Sequence, residues 1–379
     1  AWALYTYAYG GLSVDVGAKL GYSTMHREGM WRKGLFPDNS LGDSKKLNYF
    51  IYSGKVNVSY RFSGAHSLEA GATYMQNAPK FANAFVSPRT RNTTTPGVSA
   101  ERIFGVDLTY NLNLPYVKAR VSGFYSTMTD QTKVISFYDD VERSFTNFAM
   151  SGIDKRYYGV EAAVSVPIWN GISAVAALSW GDYTYTSNPD FIQTIDNSEV
   201  IARGDKVYWN GMHVESSPQL AFNFGVDYRG PHNWFASLNF NCYDKLYISM
   251  NPYYRTSQAS EYYNKLIVNE VQKGENMDLS VIKAARQGID EMRAQEKFGF
   301  VWTLSASVGK NWYIHRKYML GFSLEAKNII NKQNIHTGGY EQMRMRRVRT
   351  EEGVKFTRFD SKYFYMLGTN YYLNVYFRF

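Results

Sequence analysis

The sequence predicts an all-β fold: an antiparallel transmembrane β-barrel segment of about 13 strands, with long loops on one side and one helical insertion among them. Three observations predict it. Period-two alternation recurs along the chain, short turns and long polar connections take strict turns, and the chain closes on an aromatic strand. In that closing stretch Tyr371, Leu373, Val375, Phe377 and Phe379 share one face. Tyr372, Asn374, Tyr376 and Arg378 share the other, as in a strand set between two environments. Lipid leaves an open sheet edge unsatisfied, so Phe377 and Phe379 are expected at the barrel closure.

Composition agrees with strands crossing a bilayer. The 379 residues include 32 Tyr, 23 Phe and 8 Trp, an aromatic share of 17% that interfacial belts would absorb. Mean hydropathy is polar (-0.39), and no apolar run is long enough for a membrane helix. Alternating strands average out as polar, so this does not exclude a barrel. The single Cys242 excludes an internal disulfide framework and any cysteine metal cluster. A net charge of +9 reads as an excess of exposed Lys and Arg. The opening Ala1-Trp2-Ala3-Leu4-Tyr5 reads as strand rather than signal peptide, so the leader is expected to be processed off or to precede this sequence.

Taken in order, the first strand ends at the turn Gly10-Gly11. Further short turns fall at Ser63-Gly64-Ala65-His66, Asn113-Leu114-Pro115, Trp169-Asn170-Gly171, Gly230-Pro231-His232 and around Ile314-His315-Arg316. Long polar connections lie between them, at 26–48, 78–100, 139–152, 187–213, 252–297 and 332–361. Outer-membrane barrels have this asymmetry, with short turns on the periplasmic side and long loops outside. Strand faces separate cleanly. Val14, Val16, Ala18, Leu20 and Tyr22 oppose Asp15 and Lys19; Val56, Val58 and Tyr60 oppose Lys55, Asn57 and Arg61. Val160, Ala162 and Val164 oppose Glu161; Phe222, Phe224 and Val226 oppose Asp227; Leu304 and Val308 oppose Ser305 and Ser307. Val164, Phe222 and Leu304 are therefore expected on lipid, and Lys55, Glu161 and Asp227 in the lumen.

Aromatic belts follow from the same strands. Phe62, Tyr116, Trp169, Trp234 and Trp312 sit beside short turns. Tyr22, Tyr52, Tyr74, Tyr125 and Trp180 sit roughly ten residues further on, one membrane strand's length. In the longest loop, Leu279, Ile282, Ala285, Ile289 and Met292 repeat at helical spacing from Asp278, an N-cap, to about Gln295. A shorter helix is predicted from Tyr262 to Val271, and both are read as loop structure packing on its neighbours.

The sequence carries no enzyme signature: no catalytic residues, no cofactor and no metal site are predicted. The six histidines show no metal-ligand spacing, and neighbours such as Asp139-Asp140 or Glu351-Glu352 point to opposite sides of an extended chain. The run Met343-Arg344-Met345-Arg346-Arg347-Val348-Arg349 sets Arg344 and Arg346 on one face, where they could hold an anionic ligand or lipopolysaccharide phosphates. Loop aromatics such as Trp31, Trp209, Tyr253, Tyr254 and Tyr340 could stack on sugars or other planar substrates. No nucleic-acid-binding module is present.

Asn328-Ile329-Ile330-Asn331-Lys332 is similar to the Asn-Leu-Phe-Asn/Asp segment that ends the penultimate strand of TonB-dependent outer-membrane transporters, and the aromatic strand to Phe379 follows at a fitting distance. Asn77-Ala78-Pro79-Lys80-Phe81 through Ser87-Pro88-Arg89-Thr90-Arg91-Asn92 also resembles a loop of one branch of that family. The chain thus resembles the family's C-terminal barrel part. The resemblance implies a 22-stranded barrel in a Gram-negative outer membrane, surrounded by lipid and lipopolysaccharide. It also implies a plug inside the barrel and extracellular loops that capture a scarce small-molecule or oligomeric nutrient. Uptake would be energised by a TonB-type inner-membrane complex acting on the plug. The plug and first strands have no counterpart here, so residues 1–379 are expected to be a portion of a longer barrel. Strand parity agrees: an odd count makes the first and last strands parallel, leaving 1–9 and 362–379 as edges. The alternative is an adhesion or structural barrel with binding loops and no transport; a third reading, an outer-membrane hydrolase, would need carboxylates converging at the rim.

Overall fold

A computed structural model describes residues 1–139, 142–198, 205–315 and 317–379; Asp140 and Arg316, named above, lie outside them. One 15-stranded sheet dominates. Its main path runs antiparallel in sequence order. It begins with Trp2–Tyr9, Leu12–Met25, Leu47–Arg61, His66–Asn77, Glu101–Asn113, Lys118–Asp139 and Ser144–Trp169. It continues through Ile172–Tyr185, Leu220–Arg229, Trp234–Asp244, Val301–Ile314, Tyr318–Lys327 and Asn370–Arg378. Two short strands, Asp190–Ile195 and Asp205–Lys206, branch from the upper part of Ser144–Trp169. The first strand pairs with Leu12–Met25 and the last with Tyr318–Lys327. The two run in the same direction and do not pair with each other among the described residues.

Directly opposed residues in antiparallel pairs share a face, so register tests the alternation. One row reads Tyr7, Val14, Val58, Ala70, Leu108, Gly123, Val160, Trp180 and Leu220, apolar across nine strands. The opposite face carries Ser13, Ser59, Glu69, Thr109, Ser122, Glu161 and Ser179 in one row. The hydroxyls of Thr109 and Ser122 hydrogen-bond at 2.6 Å within it. Val164 and Leu304 join Ala176, Phe224 and Phe240 on the apolar face, with Phe222 two residues from Phe224. Asp227 aligns with Ser237, Ser307 and Glu325 on the polar one.

The tight turns have local causes. Asn170 (φ 30°) and Gly171 (φ 81°) form a two-residue hairpin of the left-handed kind that matches strand twist. A Cβ on Gly171 would lie 2.1 Å from the Arg229 carbonyl oxygen, so glycine is required there. The Asn328 segment is also a turn: Asn328 (φ 51°) and Asn331 (φ 56°) take left-handed backbone. Asn328 Nδ2 donates to the Lys332 carbonyl (2.8 Å), and Thr369 Oγ1 donates to the Asn328 carbonyl (2.9 Å). The motif thereby ties the end of one strand to the start of the last.

Two expectations are corrected. Residues 144–152 are strand rather than loop: Lys118–Asp139 and Ser144–Trp169 stay paired up to Asp139↔Ser144, through irregularities between Met128 and Lys133, and positions 140–141 of the expected loop lie outside the described residues. Burial explains the extension, because Phe148 and Met150 enter a loop core rather than solvent. The closing stretch is not one strand either. Lys362–Tyr365 pairs with His336–Tyr340, and the sheet strand begins only at Asn370 after the clamp by Asn328 and Asn331.

Candidate ligand vestibule and loop cap

All long connections leave the sheet on one side, as the antiparallel order requires. There they fold into a cap with its own core. Phe148, Met150 and Ile153 rise from the sheet to meet Tyr185, Phe191, Trp209, Met250, Tyr253, Tyr254, Met292 and Met345. Phe148 and Tyr253 stack at 6.0 Å, and Tyr253 meets Phe356 edge-on at 5.4 Å. Burial pushes the Tyr253 hydroxyl up to about 12. The helices are Glu261–Gln272 and Leu279–Arg293. The second is capped by the Asp278 carboxylate, which accepts from Ser280 N–H at 2.8 Å, and it buries Ile282, Ala285 and Met292.

A buried ionic cluster locks the cap. Arg255 is fully buried and Glu341 is 1% exposed. Arg255 donates through both terminal nitrogens to the Glu341 carboxylate, with Nη2 to Oε1 at 2.7 Å. Arg358 donates to the same Oε1, and Asn251 N–H donates to Oε2 at 2.8 Å. The remaining guanidinium donors are also used: Arg255 Nη2 meets the Ala294 carbonyl (2.6 Å), and Arg358 Nη1 meets those of Glu291 (3.1 Å) and Ala294 (3.0 Å). Burial pushes the Arg255 guanidinium down, opposed by Glu341. One carboxylate thus joins the two longest loops to the end of a helix. Nothing local announces this cluster, since the partners lie 86 residues apart and each is an ordinary loop charge.

Beneath the cap, the polar face of the sheet continues upward from Glu161 through Gly159, Tyr157 and Lys155. Opposite these stand Ser179, Gly181, Tyr183 and Tyr185. Tyr157 and Tyr183 are 5.3 Å apart, and Tyr185 packs on Trp209 at 4.7 Å. Tyr185 O–H donates to Glu215 Oε2 at 2.7 Å, and Lys133 lies 3.6 Å from the other oxygen. Lys155 sits 5.4 Å from the Tyr185 ring with no hydrogen-bond or ion-pair partner among the described residues. Burial pushes its ammonium down, with Glu215 and Glu101 opposing and Lys133 reinforcing. The Trp209 indole N–H is buried and unpartnered. Lys133, Lys155 and Glu215 were not singled out in the sequence, although alternation places Lys155 three steps of two from Glu161.

The residues proposed from sequence for ligand contact divide. Trp209, Tyr253 and Tyr254 lie inside the cap core, and the Tyr254 hydroxyl donates to the Arg344 carbonyl at 2.9 Å. Arg346 lies on the hairpin Met345–Thr350/Gly353–Arg358 and Arg344 just before it, their guanidinium groups 5.5 and 5.3 Å from the Phe359 ring. Tyr340 is exposed beside Phe364 at 5.9 Å. The aromatics near the short turns, Phe62, Tyr116, Trp169, Trp234 and Trp312, are all exposed. The Lys310 ammonium lies between Trp234 (4.8 Å) and Trp312 (5.1 Å). Tyr22, Tyr52, Tyr74, Tyr125 and Trp180 lie on the apolar face near the other rim, with Tyr52 and Tyr74 in contact at 6.0 Å. Phe377 on the last strand and Phe379 just past its end are exposed.

The sequence matches the model of the TonB dependent receptor-like, beta-barrel family over residues 1–329. The chain belongs to the TonB-dependent receptor β-barrel family. Its fold is shared with solved structures. Copper transporter OprC superimposes with a TM-score of 0.60 at 13% identity, covering 99% of this chain and 46% of that one. The ferric yersiniabactin uptake receptor FyuA from Yersinia pestis gives 0.54 at 12% identity, over 96% of this chain and 42% of that one. The FrpB iron transporter from Neisseria meningitidis (F3-3 variant) gives 0.53 at 12% identity, over 100% and 44%. This TonB-dependent receptor chain therefore spans less than half the length of the structures it matches. Among curated proteins no sequence match is found.

Proposed function

We propose that this chain is the wall and loop cap of a TonB-dependent uptake receptor in a Gram-negative outer membrane, and that it is the C-terminal part of a longer barrel. The carrying observation is the family match over residues 1–329, on a sheet whose faces divide into one apolar and one polar. In this reading the two aromatic belts mark the membrane interfaces against lipid and lipopolysaccharide. Phe377 and Phe379 belong to the closing seam. A plug carried by the rest of the receptor fills the lumen and is drawn by a TonB-type inner-membrane complex. The cap captures a scarce nutrient before the plug releases it inward. Arg344, Arg346 and Tyr340 line the outer approach.

The chain supplies binding and passage rather than bond-making chemistry. The test is uptake by cells carrying the receptor, with and without a working TonB-type complex. Candidate nutrients are offered as the sole limiting source. Accumulation that depends on both the receptor and the energising complex is expected. Binding at the cell surface with no energy-dependent accumulation of any nutrient would favour the adhesion reading instead.

A further inference from the structure

We infer that Lys310, held between Trp234 and Trp312 on the apolar, lipid-facing side of the sheet, binds the phosphate of an anionic phospholipid in the inner leaflet, with Phe322 and the two indoles packing the lipid's glycerol backbone. The inference takes the membrane and its sidedness from the uptake reading above and adds a lipid site to that receptor.

A lone cation in an apolar row carries the argument. Lys310 stands directly opposite Trp234 on one side and Phe322 on the other, and Val375 continues the row. Along its own strand Val308 and Trp312 share its face, with Leu320 opposite Trp312. The ammonium lies 4.8 Å from the Trp234 ring and 5.1 Å from the Trp312 ring, with no ion-pair partner among the described residues. The carboxylates nearest in register, Asp227 and Glu325, are on the polar face, and Glu325 is met by Lys327 at 3.5 Å. Phe322 meets Trp234 edge-on at 6.2 Å and Trp312 at 5.9 Å, so three rings fix the surroundings of the cation. Two indole faces attract an ammonium but carry no net charge, so its counter-ion comes from outside the sheet. A membrane supplies one as lipid phosphate. A zwitterionic head group brings its own cation to that phosphate and an anionic one does not, so charge complementarity selects the anionic lipid.

Depth agrees. Trp302 lies on the same face of the same strand, ten residues from Trp312, with the Lys332 ammonium 3.1 Å from its ring centre. Ten residues rise about 33 Å, or roughly 23 Å of height at a 45° tilt, close to the apolar band of a barrel. The two tryptophans thus stand at the two interfaces. Lys310 is two residues to the hydrocarbon side of Trp312, about 5 Å in height, and its four-carbon stem reaches the phosphate level from there. The short turns place this end of the strand at the inner leaflet.

The test is native mass spectrometry of the whole receptor in detergent, titrated with phosphatidylglycerol and with phosphatidylcholine of the same acyl chains. Saturable phosphatidylglycerol binding is expected, with phosphatidylcholine at least five-fold weaker. Lys310→Met should weaken phosphatidylglycerol five-fold or more and abolish the preference, while Lys310→Arg retains both. Lys317→Met, which removes the cation 5.3 Å from Tyr318 in the adjoining turn, should change binding less than two-fold. Equal binding of the two lipids overturns the inference. So does unchanged binding in Lys310→Met, or an equal loss in Lys317→Met, which would show diffuse surface charge instead of a site. Heat-modified gel mobility checks that each variant is folded; should Lys310→Met not fold, Lys310→Gln takes its place. Displacement of the lipid by millimolar inorganic phosphate would assign the site to a free anion and overturn the lipid reading. Uptake keeps the two readings apart. A receptor that accumulates a nutrient but shows no lipid preference sinks this inference alone. One that selects phosphatidylglycerol through Lys310 yet accumulates nothing sinks the uptake reading alone.

Discussion

Replacing Glu341 with Gln removes one negative charge from a site of almost no solvent access and changes the side-chain volume little. In the wild type the carboxylate accepts from both terminal nitrogens of Arg255, from Arg358 and from Asn251 N–H. The amide keeps one acceptor oxygen but turns an N–H group toward donors that have no other anion. Arg255 and Arg358 are then left facing each other uncompensated. Breaking a buried pair in this way costs about 3–5 kcal/mol, most of it from the stranded charge. The cap's opening equilibrium should shift on the order of 10²- to 10⁴-fold, at about 1.4 kcal/mol per decade. Hydrogen exchange read by mass spectrometry locates the effect. Amides of Leu279–Arg293 and Met345–Thr350 should exchange faster, while those of Leu220–Arg229 in the sheet stay protected. Replacing Arg255, Glu341 and Arg358 together with Leu should cost less than Glu341→Gln alone, because no charge is stranded. Unchanged cap exchange, or equal acceleration in cap and sheet, would refute the reasoning.

Three further outcomes are expected. Single cysteines at Lys55, Glu161 and Asp227 should react with a water-soluble thiol reagent in membranes while those at Val164, Phe222 and Leu304 do not, on a Cys242→Ala background; equal labelling would break the two-face assignment. Tyr253 gives a pH dependence with a definite sign. Its folded-state value is raised to about 12, so both states hold the proton below pH 10 and only the unfolded cap loses it between 10 and 12. Cap stability should therefore fall by roughly 2–3 kcal/mol across that window, and Tyr253→Phe should flatten the fall in a tyrosinate-blind probe such as cap proteolysis. Asn328→Ala forces a Cβ residue with no amide into φ 51° and drops its hydrogen bond to the Lys332 carbonyl. A loss of about 2–3 kcal/mol is expected, read as the midpoint of heat-modified gel mobility. Asn328→Gly should recover the backbone part only, and a full recovery would show the side-chain bonds to be idle.

Much of the sheet was legible because strand periodicity is a local property. Val14, Val58 and Val160 stand where period two places them, and the turns at Gly10 and Gly171 bring their strands into that register. The Asp278 cap and the apolar spacing from Ile282 to Met292 likewise needed only neighbours in sequence. What failed was length. Residues 139–152 look polar enough for a loop, yet their strands continue because Phe148 and Met150 find partners in loops 40 to 200 residues away. The aromatic run from Lys362 has no local sign of a break. The interruption comes from Asn331 and Asn328, whose side chain and carbonyl hold Thr369.

The cap and the vestibule differ in how they could have been found. Trp209, Tyr253 and Tyr254 look like exposed stacking surfaces when each loop is taken alone. They are buried because the loops together supply enough apolar surface to build a second core. No spacing within one loop distinguishes these cases, and the Arg255–Glu341–Arg358 cluster is equally invisible, being made across chain separations that carry no period. Lys155 is different. It continues the polar face by steps of two from Glu161, on the strand partner of Tyr183 and Tyr185. Its position was therefore implied by alternation. What alternation could not supply was that Glu215, arriving from a separate loop, is already held by Lys133 and Tyr185. That meeting of Glu215 with Tyr185 and Lys133 is a property of the fold, made between chain segments that share no period.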